Sequence, residues 1–489
     1  MTHQNEEQET TKRIEHDSLG DVAVPSWALY GAQTQRAVDN FPISGLHAHP
    51  AMIRATVTVK KAAALANMET GRLDERITRA ISQAADEILA GRWHEHFVVD
   101  VYQAGAGTSH NMNANEVLAN RAIEILGGER GDYKTVHPND HVNMAQSTND
   151  TFPTSMRVAT LLLIQELVPS MERLATAFLA KGREFNHIVK SGRTHLQDAT
   201  PIRLGQEFSA YGITIERDIK RLRHASETLY ELNIGGTAVG TGLNAELAYI
   251  ESVVRHLGEM TGFPFRMAES LVQIAPSMAS FVEVSGVLRV LATDLTKIAN
   301  DIRLMASGPA TGFYEIVLPA VQPGSSIMPG KVNPSMAEML NQVCFQVLGH
   351  DTTISFAAQA GQLELNVMMP VIIHNMLWSL TILTNSMDAF TIRCVTGIVA
   401  NEERCEEYAF KSASLVTALA PYIGYELSAR LAKEQVRTGR DIRDIVREQG
   451  LLPESDLLEI LKPEAMTEPG VAGQGKTQTP ILGHVGGGG

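Results

Sequence analysis

The stretch FVEVSGVLRVLATDLTKIANDI, residues 281–302, decides how the chain folds. Its apolar residues Phe281, Val284, Leu288, Leu291, Leu295, Ile298 and Ile302 follow one another at alternating steps of three and four. Residues spaced in this way share one face of an α-helix and form a seam of the coiled-coil kind. Upstream, Leu204, Phe208, Tyr211, Ile215, Ile219, Leu222, Ala225 and Leu229 also step by three or four, which predicts a second such helix. Further long helices are predicted over 154–187, 335–357 and 370–398. At about 1.5 Å per residue, such segments outrun the ~30 Å span of a small domain. Several of them together predict an extended bundle, whose exposed flanks other subunits would cover. The expectation is an all-α, mainly helical fold in a homo-oligomer, a tetramer.

The rest of the chain falls on either side of this bundle. Residues 1–148 form the expected first domain, with helices at 51–67 and 74–90 and irregular segments near 20–45 and 97–111. The bundle domain is expected over 149–403. A small helical domain over 404–489 is broken by Pro421, Gly424, Gly439 and Gly450 and ends in a Gly- and Pro-rich loose tail from Glu468.

Composition narrows the function. The chain has 489 residues, 44% apolar and 20% charged, with a net charge of −14. So acidic a chain has no general attraction for nucleic acid or an anionic membrane, so neither is an expected partner. Cys344, Cys394 and Cys405 form no CxxC pair and are odd in number, which reads as reduced thiols of a cytoplasmic protein. The first twenty residues carry no apolar signal core, and no apolar run is long enough to span a bilayer.

Four polar segments could carry chemistry. GSSIMPGKVNP at 324–334 is a loop by its glycines and prolines. Five residues separate Gly324 from Gly330 and Val332 follows Lys331, so it is not a phosphate loop. Its serines, lysine and asparagine could hold an anion, or it could be a plain surface loop. AGAGTSHNMNANE at 104–116 brings Gly105, Gly107, Thr108 and Ser109 to the start of a helix, where anions are favoured. HPNDHVNMAQSTND at 137–150 offers Ser147, Thr148 and Asn149; His137 and His141 lack a third ligand, so no metal is expected. SGRTHLQDATP at 191–201 places Thr194 and His195 ahead of a long helix.

In this order, these four segments resemble those of the aspartase/fumarase superfamily, over about Arg13 to Gly473. GSSIMPGKVNP is similar to that superfamily's mobile loop, and QSTND (146–150), ANDIRLMASGP (299–309) and AGQLELNV (360–367) are similar to aspartase text. The resemblance implies a three-domain helical fold and a homotetramer whose active sites are each built from three subunits. It implies elimination from a small dicarboxylate with no cofactor, aspartate to fumarate and ammonia in the nearest branch. Ser325 would take the proton. Lys331 and Asn333, with Thr194 and His195, would grip the carboxylate on the amine-bearing carbon. Thr108, Ser147, Thr148 and Ser326 would bind the other carboxylate, Asn149 the amine, and Met328 would also line the substrate site. The chain departs from the pattern at Ala310, where Arg is common, and at Met369, where aspartases commonly have Glu. HPNDHVN (137–143) and GGTAVGTG (235–242) look more like fumarase. Three readings follow: an aspartase, a fumarase or lyase of another substituted succinate, and a catalytically silent structural protein on this fold.

Overall fold

The computed structural model describes residues 11–482. It opens with an antiparallel hairpin, β1 (Lys12–Asp17) and β2 (Gly20–Pro25), then α1 (Ala32–Asn40), α2 (Pro50–Glu69), α3 (Glu75–Leu89) and α4 (Thr108–Ile125). The long α5 (Thr148–Glu184) leads to a second hairpin, β3 (Val189–Thr194) and β4 (Gln197–Arg203). Next come α6 (Leu204–Ser226), α7 (Leu247–Thr261), α8 (Ala279–Met305), α9 (Ser335–Gln359) and α10 (Met369–Arg393). The shorter α11 (Glu402–Lys411), α12 (Tyr425–Thr438), α13 (Ile442–Glu448) and α14 (Glu454–Ile460) complete a mainly helical fold. Among the described residues every sheet has two strands.

The seven residues of the 281–302 seam are all buried in α8. The chain divides into two compact units, one of Met1–Pro169, Asp218–Thr293 and Val343–Asn385, the other of Ser170–Arg217, Asp294–Gln342 and Ser386–Gly489. In the first unit, buried Arg157 of α5 donates to the Thr228 carbonyl at 3.0 Å and lies over the Phe281 ring of α8. Ser285 of α8 donates to Asp351 of α9 at 2.7 Å, and His350 of α9 meets Ser379 of α10 at 2.8 Å. In the second unit, Phe178 of α5 packs on Phe208 and Tyr211 of α6 and on Phe390 of α10. The Tyr211 hydroxyl donates to Asp301 of α8 at 2.8 Å.

Three sequence readings are corrected. The segment near 20–45, read as irregular, holds β2 and α1. Thr194 and His195 do not directly precede a helix, because β4 intervenes before α6. Helix α5 begins at Thr148 rather than 154. Pro153 reads as a start signal because it lacks the N–H that the Asn149 carbonyl would receive. Asn233 supplies the missing donor, its Nδ2 reaching that carbonyl at 3.1 Å, and the helix continues through the proline.

The three cysteines are buried and form no disulfide. Part of the stretch read as a loose tail is held: Asp456 accepts from the amides of Gln478 and Thr479, and Leu482 N–H donates to the Pro421 carbonyl at 2.7 Å. The terminal glycines and the first ten residues lie outside the described residues.

Candidate active site

In the first unit, the turn Gly105–Gly107 feeds α4, with Ala106 at φ 61° and Gly107 at φ 83°. A Cβ on Gly107 would lie 2.2 Å from the Phe152 ring, and one on Gly105 would lie 2.9 Å from Val367. Close packing therefore accounts for both glycines. It sets Thr108, exposed, at the first turn of α4, where unpaired N–H groups favour an anion.

Ser147, Thr148 and Asn149 open α5 and are fixed from three sides. The buried Asp150 carboxylate accepts the N–H of Ser147 at 3.0 Å, of Gly235 at 3.0 Å and of Thr237 at 2.9 Å. Its pKa is nevertheless pushed up to about 6, chiefly by burial. Asn149 Nδ2 donates to the Ala238 carbonyl at 2.8 Å. Asn111, one turn into α4, donates from Nδ2 to Thr148 Oγ1 at 3.1 Å, so the Thr108 and Thr148 segments are linked. Beneath them lies Lys60 of α2, fully buried, donating to Asn143 Oδ1 at 2.7 Å and Gln146 Oε1 at 3.0 Å. Burial draws its pKa down to about 7.

The neighbouring histidines serve structure. His137 Nδ1 caps the amides of Asn139 and Asp140, and His141 Nδ1 accepts the N–H of His137 at 2.8 Å. Among the described residues no group of three or more His, Cys, Asp or Glu is placed to hold a metal. His110 of α4 is fully buried against Thr56, 2.9 Å away, and burial holds its pKa down near 4. The group is neutral in the fold and protonates near 6.5 when unfolded. The stability this contributes is therefore complete above pH 6.5 and lost as pH falls toward 4, on the order of 3 kcal/mol in all. His110→Asn should flatten the acid limb of a Tm-against-pH curve between these values. An unchanged slope relative to wild type would refute this.

In the second unit, Thr194 pairs with Gln197 at the end of the β3–β4 hairpin, and His195 (φ 54°) and Leu196 (φ 58°) make its two-residue tip. Two successive positive φ values are those of a type I′ turn, here without glycine or asparagine. The tip is exposed, while the base of the hairpin is tied down. Buried Glu315 accepts from Arg193 at 2.7 Å and pairs with Lys190 at 2.8 Å, and Arg193 lies 4.1 Å from the Phe313 ring centre.

The 324–334 loop closes at its neck. Gly324 N–H donates to the Lys331 carbonyl at 2.8 Å, and Asn333 Nδ2 donates to the Gly324 carbonyl at 2.6 Å. A Cβ on Gly324 would lie 2.4 Å from that lysine carbonyl oxygen. Ser325 is half-buried just above the neck, and its Oγ accepts the N–H of Ile327 at 3.2 Å and of Met328 at 3.0 Å. Ser326, Met328 and Lys331 are exposed, and Lys331 makes no ion pair among the described residues. No hydrogen bond joins this loop to the hairpin tip among the described residues. The sequence reading did not single out Lys60, Asn111, Asn143 or Asp150, although Asn111 lies within the 104–116 segment and Asn143 and Asp150 within the 137–150 segment.

Long bundle helices carrying polar segments that offer hydroxyls, amides and a lysine define a class, and the comparisons agree on it. Residues 20–349 match the family model described as lyase, and 415–468 match that of the fumarase C C-terminus. The chain is 54% identical to an aspartate ammonia-lyase of Bacillus subtilis, covering 94% of this chain and 97% of the relative. It is 48% identical to the mitochondrial fumarate hydratase of Saccharomyces cerevisiae, covering 94% of each. A solved fumarate lyase:delta crystallin of Brucella melitensis, bound to cobalt, superposes with a TM-score of 0.91 at 49% identity, covering 94% of this chain and all of that one. The chain is a lyase and belongs to the aspartase/fumarase superfamily. Its more similar relatives include several aspartate ammonia-lyases at about 50% identity.

Proposed function

We propose that this lyase reversibly removes ammonia from L-aspartate to give fumarate. One observation carries the chemistry: Ser325 Oγ, at the head of an exposed loop, accepts two backbone N–H groups. Hydrogen bonds to an oxyanion favour it over the hydroxyl, which equips a serine to act as a base. In this reading Ser325 takes the proton from the carbon beta to the amine. The C–H electron pair moves onto the neighbouring carboxylate as a doubly negative enediolate, then returns as the double bond while the C–N bond breaks and ammonia leaves. Thr108, Ser147, Thr148 and Ser326 donate to that carboxylate as its charge grows. Asn149 holds the amine. Lys331, Asn333, Thr194 and His195 hold the other carboxylate, with Met328 beside them. Side-chain and main-chain groups supply every role, so the chemistry calls for no cofactor.

We further propose a cytoplasmic homotetramer in which three subunits build each site. Phe345, Phe356 and Trp378 are 58%, 66% and 47% exposed on α9 and α10, which supports cover by other copies. Thr194→Ala and Ser325→Ala chains, each inactive alone, should regain activity when mixed as hybrids, because some sites then receive only undamaged segments. Well-exchanged hybrids that stay inactive would exclude shared sites.

The yeast relative and the fumarase-like segments at 137–143 and 235–242 favour a second reading, elimination of water from L-malate. Fumarate absorbance with L-aspartate and then L-malate decides between them; turnover of malate alone overturns the aspartase reading.

A further inference from the structure

Thr148 can stabilise the enediolate only if its hydroxyl proton faces the substrate. A hydroxyl has one proton to donate and can accept through its oxygen. Asn111 Nδ2 donates to Thr148 Oγ1 at 3.1 Å, so the oxygen is engaged from below and the proton is left to point outward. Asn111 is itself buried and oriented. The Thr151 hydroxyl lies 3.2 Å from its Oδ1, and its Nδ2 also donates to Asn143 Oδ1 at 3.3 Å. Asn143 Oδ1 in turn receives Lys60 Nζ at 2.7 Å, and the same amine donates to Gln146 Oε1 at 3.0 Å. As an ammonium or as a free amine, Lys60 has an N–H for each of these oxygens.

We infer that Lys60 is a positioning residue of the reaction: through Asn143 and Asn111 it fixes Thr148 as a hydrogen-bond donor to the substrate carboxylate. The inference rests on the proposed carboxylate-binding role of Thr148. The contacts meet at one oxygen and lead on from it. Lys60 only donates, Asn143 accepts from Lys60 and Asn111 on one oxygen, and the second Asn111 N–H is spent on Thr148. Lys60 thus holds the Asn143 oxygen where the Asn111 amide can reach it, and the Asn111 amide, turned by that bond, presents its other N–H to Thr148. Lys60 lies too deep to touch substrate. Its neighbour Lys61, about 100° further round the helix, pairs instead with Asp86 at 2.6 Å.

The test is a double-mutant cycle of Lys60→Met with Thr148→Val, read in kcat and KM with thermal melting alongside. Lys60→Met should lower kcat/KM by about 10- to 100-fold, mostly through kcat, since the donor matters most as charge develops. In the double mutant the loss should not exceed that of Thr148→Val alone by more than about threefold, because both changes remove one donor. A folded Lys60→Met that keeps more than about a third of kcat/KM, or losses that multiply, overturns the inference. If Lys60→Met does not fold, Asn111→Leu takes its place in the cycle with the same expected and overturning results. The cycle runs on whichever of L-aspartate and L-malate the wild type uses. Turnover of malate alone overturns the aspartase reading and leaves this test intact; turnover of neither overturns both.

Discussion

Ser325→Ala should lower kcat by about 10³-fold or more while KM for L-aspartate stays within about threefold of wild type. The asymmetry follows from the loop. Ser325 Oγ is held by the amides of Ile327 and Met328, and in the proposed reaction it touches the proton rather than either carboxylate. The loop's shape rests elsewhere, on the Gly324–Lys331 pairing and on Asn333 reaching the Gly324 carbonyl. Alanine leaves both of those bonds in place, so the neck and the position of Lys331 survive. What the proposed reaction would lose is a base whose anion two N–H groups stabilise, and such an anion contributes to proton transfer rather than to binding. Ser325→Cys sharpens the test. A thiol is far more acidic, but a thiolate accepts hydrogen bonds more weakly and its sulfur is larger, so kcat should again fall. The measurement is fumarate absorbance under saturating substrate, with succinate inhibition as a separate check on binding. A Ser325→Ala enzyme with near-normal kcat would remove this residue from the base role. A variant that loses succinate binding as well would show that the serine shapes the loop rather than working in it.

The fold was legible where its cause is local. The seam from Phe281 to Ile302 needs only the helical repeat to be recognised, and every residue of it is buried. The face from Leu204 to Leu229 is likewise buried throughout. Reading failed where a distant residue supplies the missing piece. Pro153 looks like a helix boundary until Asn233, 84 residues from Asn149, is seen to donate to the exposed carbonyl. The β3–β4 turn escaped notice because His195 and Leu196 take positive φ without the Asn-Gly or Asp-Gly that marks such turns. Non-glycine residues in that region are held there against a cost, and such cost is most often met at working sites. Lys60 was invisible for a third reason. In VTVKKAAALA two adjacent lysines look alike, yet one is fully buried and the other reaches an exposed carboxylate. Only the amides of Asn143 and Gln146, more than 80 residues away, separate them. The polar segments themselves could be read as places, but whether a given hydroxyl donates or accepts depends on partners that composition does not reveal.

Lys331→Met should cost at least about 2 kcal/mol in kcat/KM for L-aspartate, roughly thirtyfold, in the range seen when a single preorganised charge-stabilising donor is removed. Lys331 is the only cation between Gly324 and Pro334, on a chain whose net charge is −14. A dicarboxylate approaching so acidic a protein gains little from a distant or solvated lysine, because salt and water screen it. In the present structure the Lys331 side chain is exposed and makes no ion pair among the described residues, so nothing competes for its charge. Its backbone, by contrast, is fixed on both sides: its carbonyl accepts from Gly324 and its N–H donates to Met328. The main chain is thus committed to the loop neck and the ammonium is left for substrate. Closing the loop over a bound carboxylate would strip water from the pair and make the hydrogen bond charge-assisted, which is where such contacts gain strength. Methionine keeps the stem and removes the charge, so the backbone hydrogen bonds should persist and the melting temperature should change little. Arginine keeps the charge but replaces a compact ammonium with a planar fork, and Lys331→Arg should also be impaired. The check is kcat/KM for L-aspartate in wild type and both variants, with thermal melts to confirm folding. If Lys331→Met retains more than about a third of the wild-type value, the carboxylate is held by other groups and the lysine serves the loop alone.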